Sequence, residues 1–187
     1  MARNTLVRTL HDVGLAAWFG GSLMGAVGLN AAAGAVDDPK QRGRVVNEGW
    51  DRWTPLNAGA IGAHLLGGAG ILLANRKRVA GQQGVAGMTA LKTVLTGAAL
   101  GVTAYSRILG RKVASQQDMP VSSGTDPSAQ TPPDVANAQQ QLKALQWAVP
   151  AATAAILAVN AYAGEQQRPS EMSKGVRGRA RQLAHLN

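Results

Sequence analysis

The sequence predicts an all-α fold: a bundle of four transmembrane helices with a short interfacial helix and a basic C-terminal tail. Three observations lead there. Four Ala/Gly-rich stretches, 13–36, 54–75, 85–106 and 144–164, each hold about 20 residues, enough at 1.5 Å rise per residue to cross ~30 Å of hydrocarbon. Only the third carries a formal charge, Lys92. Finally, four spans and their connections use up most of the 187 residues, leaving no room for a separate soluble domain.

The mean hydropathy of -0.06 averages these spans with charged loops, a Gln/Ser/Pro-rich linker and a basic tail. The spans are built from Ala, Gly and Thr, with a single Phe in the chain, so each inserts with less drive than a Leu/Phe-rich helix. That composition leaves a soluble basic bundle open as the alternative.

Taken in order, the first helix can be capped by Asn4 or Thr5, is amphipathic over 5–12 and runs to about Val36, where Asp37-Asp38-Pro39 stops it. Residues 40–53 carry mixed charge, with Val45, Val46, Trp50 and Trp53 roughly on one side, as suits a short helix with its indoles at headgroup level. Thr54-Pro55 is read as the start of the second span, the proline sitting in the first turn where its missing N–H costs nothing. The span ends at Asn75-Arg76-Lys77-Arg78, and 81–84 is read as a tight turn into the third. Residues 113–141 are polar enough to predict an exposed and partly mobile loop. Thr131-Pro132-Pro133-Asp134 then starts a final helix that passes Trp147 at the interface, has room for a kink at Pro150 and ends at Gly164.

The net charge of +9 fits basic loops facing an anionic leaflet better than it fits nucleic acid. Outside the spans, Lys and Arg number 10 at the N-terminus, the 75–84 hairpin and the 165–187 tail together, against 8 in the other two loops. That bias predicts a multi-pass protein of a bacterial plasma membrane with both termini cytoplasmic, its basic hairpin and tail on anionic lipid. Without cysteine there is no disulfide, thiolate metal site or cysteine nucleophile. The chain has no phosphate-binding Gly-rich loop, no H-E-x-x-H and no nucleophile elbow, so no enzyme activity is expected.

Small residues recur at helical spacing, and Gly21, Gly25, Gly67, Gly97 and Gly101 are the positions expected to pack helices closely or to dock a partner. The polar residues at membrane depth are His64, Lys92, Asn30 and Asn160, the default places to look for function. Lys92 can snorkel or pair with Asp12, and His64 can bond Asn30, Asn57 or Asn160 from neighbouring helices. His11 is placed at the mouth of its span and His64 nearer the middle, at different depths.

His11 followed by Trp18-Phe19-Gly20-Gly21 resembles the first helix of copper-resistance-D-like four-helix bacterial membrane proteins, in which a histidine precedes Trp-x-Gly-Gly. The resemblance implies a bundle whose intramembrane histidines, here His11 and His64, bind haem or copper. The reading that ranks first is a non-enzymatic accessory or stabilising subunit without cofactor or metal, bound to a larger membrane complex or to itself. A haem- or copper-binding module, and a homo-oligomeric channel or carrier with Lys92 lining an anion path, are the alternatives.

Overall fold

The computed structural model describes residues 4–81, 84–116 and 119–165, and the part of the basic tail beyond Glu165 lies outside them. Among the described residues are four helices long and apolar enough to cross a membrane, so the chain is an all-α, multi-pass membrane protein. Helix α1 (Thr5–Met24) continues through a π-helical stretch, Gly25–Leu29, and short turns to Ala35. Asn4 stands at its N-cap position without a side-chain cap bond.

Helix α2 (Pro39–Ala74) merges two elements that the sequence separates. The interfacial segment 40–53 is helical, yet it runs unbroken into the second span, with Pro55 inside the helix rather than at a start. Proline removes the N–H that would bond the carbonyl of Asp51. Two features carry the helix through. Thr54 Oγ1 donates to Trp50 O at 2.7 Å, and the indoles of Trp50 and Trp53, in the turn before the proline, lie against Gly25 and Gly21 of the first span. The true start is Asp38, whose carboxylate accepts from Lys40 N at 2.9 Å with Pro39 at the first position.

The basic hairpin contains a short helix, α3 (Arg76–Gly81), before α4 (Val85–Ala114). Gly84 begins α4 with φ of 84°, a left-handed conformation open to glycine at no steric cost. Helix α5 (Pro133–Glu165) starts at the predicted proline pair and includes Pro150.

Antiparallel α1 and α2 pack along their lengths, as do α4 and α5, and α1 meets α5. Helices α2 and α4 scarcely touch. The order across the bundle is therefore α2, α1, α5, α4, with a gap between the outer pair. Leu15, Trp18, Ala99, Val149 and Ile156 form the core where α1, α4 and α5 meet.

The polar connection between α4 and α5 is more structured than its composition predicts. Residues 119–132 cap the end of the bundle where α1 passes to α2, with Val121, Gly124, Thr125 and Thr131 buried. Gly124 N donates to Asn30 O and Val121 N to Pro39 O, both at 3.1 Å, and the hydroxyls of Ser128 and Thr131 both donate to Pro120 O. Backbone groups at the helix ends, rather than apolar surface, supply the ordering here.

Asp126 ties this cap to α5 by accepting from Lys143 Nζ at 2.6 Å and from Ser123 Oγ at 2.7 Å. The Lys143 ammonium, with the Ser123 hydroxyl second, holds its carboxyl below the usual carboxylate range. Because the folded value is depressed, the tie is present above the unfolded value and is lost as pH falls through the folded one. Hydrogen exchange of the amides in 121–128 should accordingly show a loosening confined to pH below about 4, and Asp126→Asn should remove that step. A step persisting in the variant would assign it to another group.

Candidate functional site

Five positions on one stripe of α1, His11, Gly14, Trp18, Gly21 and Gly25, recur at spacings of three and four residues, which keeps them on one helix face. Glycine at three of them lets α2 approach. A methyl group at Gly14 would meet the carbonyl oxygen of Ala60 and lie 2.7 Å from His64 N. On α2, a methyl group at Gly67 would meet His11 N and lie 2.5 Å from Val7 O. Backbone thus lies against backbone, and the antiparallel register sets residue 11 opposite 64–67.

This register brings His11 and His64 together, their rings 4.3 Å apart between centroids and tilted by 36°. The different depths read from the sequence do not apply. His11 lies ~9 Å from the start of α1 and His64 ~15 Å from the end of α2 at 1.5 Å per residue, so the side chains bridge the small remaining offset. Both are buried, at 6% and 3% exposure, and the Trp18 and His64 rings lie 6.3 Å apart between centroids at a steep angle of 63°.

The hydrogen bonds determine how each ring is protonated when neutral. His64 Nδ1 is 3.1 Å from His11 O, and a carbonyl can only accept, so Nδ1 carries the hydrogen and Nε2 the lone pair. His11 Nδ1 is 2.9 Å from Asp12 Oδ1, and the same argument applies. The partner of His64 is therefore the His11 backbone, and not Asn30, Asn57 or Asn160. The result is a histidine pair, with Asp12 bonded to His11, toward the end of the bundle that carries the basic hairpin.

A pair of basic ring nitrogens, each backed by an acceptor on the other nitrogen, is suited to hold a soft cation or to relay a proton. It does not suit a haem held between the two histidines, because rings 4.3 Å apart leave no space for a porphyrin. Among the described residues no group of three or more His, Cys, Asp or Glu is placed to hold a metal ion.

The other predicted positions separate into two groups. Gly21 and Gly25 are filled by the rings of Trp53 and Trp50, and Gly67 by the α1 backbone, so all three serve packing within the bundle and are closed to a partner. Gly97 and Gly101 have no heavy atom within 4 Å of where a methyl group would stand. Asn30 is a hub at the opposite end: its Nδ2 donates to Gln146 Oε1 and its Oδ1 accepts from Trp50 Nε1, both at 2.9 Å. Both side-chain polar atoms of Asn160 are buried without a hydrogen-bond partner.

Sequence reasoning missed the pairing of the histidines. The signal that could have found it was the alignment of His11 with Gly14 and of His64 with Gly67, two histidines each three residues from a close-approach glycine on opposed helices. Comparison with protein-family models, curated proteins and solved structures found no match for this chain.

Proposed function

We propose that this protein is a non-enzymatic accessory or stabilising subunit of a larger complex in a bacterial plasma membrane, docking through the outer face of α4. The observation that carries this reading is the open stripe at Gly97 and Gly101. The bundle consumes Gly14, Gly21 and Gly25 of the first span internally, while these two glycines, four residues apart, adjoin exposed Val94, Tyr105 and Ile108. In lipid, where apolar burial gives little drive for association, close backbone approach at such a pair is a main source of helix affinity. Both termini and the basic hairpin face the cytoplasm in this reading, with the hairpin and tail against anionic lipid and no role for nucleic acid.

A mild-detergent pull-down from the native membrane, with mass spectrometry, should recover stoichiometric partners. Gly97→Leu with Gly101→Leu should reduce their yield at least tenfold while leaving helix content unchanged. Full retention of the partners by the folded double variant would reject docking at this face.

The histidine pair favours a second reading, in line with the copper-resistance-D-like resemblance of the first helix: a two-nitrogen site for a cuprous ion, with His11 Nε2 and His64 Nε2 as donors. Imidazole suits copper, and the acceptors on both Nδ1 atoms orient the rings for it. Competition against a chromophoric cuprous chelator should show one ion bound per chain, lost in His64→Ala and retained in a His185→Ala control. Equal uptake by wild type and His64→Ala would remove this reading.

A further inference from the structure

The gap between α2 and α4 has no role in either reading. It opens into a cavity of about 350 Å³ between the two helices, backed by residues of α1 and α5, and its size is in the range of small-molecule sites. Ile61 and Leu100 line the part toward the basic hairpin, whereas the part toward the 119–132 cap gathers Asp51, Trp53, Asn57 and Arg107.

Three polar atoms of these lining side chains, Trp53 Nε1, Asn57 Oδ1 and Arg107 Nε, are buried and have no hydrogen-bond partner. Leaving such atoms unpaired in an apolar setting is costly, and they need an explanation. Trp53 cannot readily turn to find a partner, because its ring fills the space beside Gly21. The arrangement is thus two fixed N–H donors and one carbonyl acceptor beside an apolar slot.

Charge narrows what fits. Arg107 Nη2 donates to Asp51 Oδ1 at 2.7 Å, so the guanidinium is already neutralised across the gap, and a carboxylate or phosphate head would meet Asp51. An uncharged oxygen meets no such repulsion. Asp51 is 57% exposed at its side chain and Arg107 30%, so this polar part lies near the edge of the bundle while the slot continues into the span.

We propose that the crevice between α2 and α4 binds a neutral, lipid-soluble carbonyl compound of the quinone class. Its head lies beside Trp53, Asn57 and Arg107, and its apolar tail leaves between α2 and α4 into the lipid. Trp53 Nε1 and Arg107 Nε donate to carbonyl oxygen, and Asn57 Oδ1 accepts from the hydroxyl of the reduced form. Entry from the bilayer needs no opening of the bundle, because α2 and α4 are not packed together.

The test uses the isolated full chain in phosphatidylcholine nanodiscs, so its outcome is independent of any partner or copper. A ubiquinone with one isoprene unit is titrated in, reading tryptophan fluorescence in a Trp147→Phe background, since Trp147 is 50% exposed and would report collisions in the lipid. Saturable quenching is expected. Gly110→Leu fills the crevice from a position with no heavy atom within 4 Å of the added methyl group, and should weaken binding at least tenfold with unchanged helix content. Ala104→Phe serves as a second filled variant.

Quenching that rises linearly with quinone in the parent protein overturns the proposal, as does saturation with the same midpoint in both filled variants. Displacement of the quinone by palmitate at equal concentration would overturn the neutral head and assign the site to an acyl carboxylate.

Discussion

Gly67→Ala should destabilise the bundle by about 2–3 kcal/mol, the upper range for forcing atoms into a packed interior. The added methyl group would meet His11 N and Val7 O, which are backbone atoms and cannot move aside as a flexible side chain can. Relief requires α1 and α2 to separate along the seam that sets the histidine pair. Gly14→Ala, from the other side of the seam, should behave alike.

Gly97→Ala and Gly101→Ala provide the contrast, because nothing stands where their methyl groups would go. Both should lie within about 1 kcal/mol of wild type, with a small gain from the better helix propensity of alanine. Reversible unfolding in mixed micelles, followed by circular dichroism, measures all four. Equal effects at Gly67 and Gly101 would mean that the α1–α2 seam is not the close contact described.

Trp18→Ala should cost about 3–5 kcal/mol, the range for removing a large aromatic from a packed core. The side chain is fully buried, at 0% exposure, and no other residue in the core cluster is as large. In a membrane the loss is mainly one of packing, since the vacated space exchanges protein contacts for a void rather than for water. Trp18 Nε1 also donates to Thr103 Oγ1 at 3.2 Å, linking α1 to α4.

Trp18→Phe separates the two contributions. It keeps most of the ring and loses the hydrogen bond, for which about 0.6 kcal/mol is typical inside a membrane protein. Trp147→Ala, at a 50% exposed position, should be close to neutral. If Trp18→Phe proved as damaging as Trp18→Ala, the hydrogen bond rather than packing would hold α1 against α4. Since the Trp18 ring also packs beside His64, the alanine variant should disturb the histidine pair and weaken any cation held there.

The motif that stood out on the first helix acquires a physical meaning from these contacts. Within His11 through Gly21, Trp18 fills the core and Gly21 admits Trp53, while exposed Gly20 meets nothing. Trp50 and Trp53 were legible as interfacial indoles, but they pack against α1 at Gly25 and Gly21. A helix wheel records which residues share a face and is silent on whether that face meets headgroups or another helix.

The amino-acid sequence by itself determined the number of membrane-spanning helices, because crossing hydrocarbon depends on length and polarity that each segment carries alone. It also determined local punctuation: Asp37-Asp38-Pro39 after the first helix, the turn at Gly84 before α4 and the proline pair before α5 depend only on nearby backbone. Tertiary structure decided the rest. Which small-residue stripes are consumed, which of the partners available to His64 it takes, how the polar loop becomes a cap and whether α2 meets α4 all depend on helix pairing and register. In lipid those choices rest on the fit of one surface against another rather than on hydrophobicity, so a stripe of glycines announces close approach without naming what approaches.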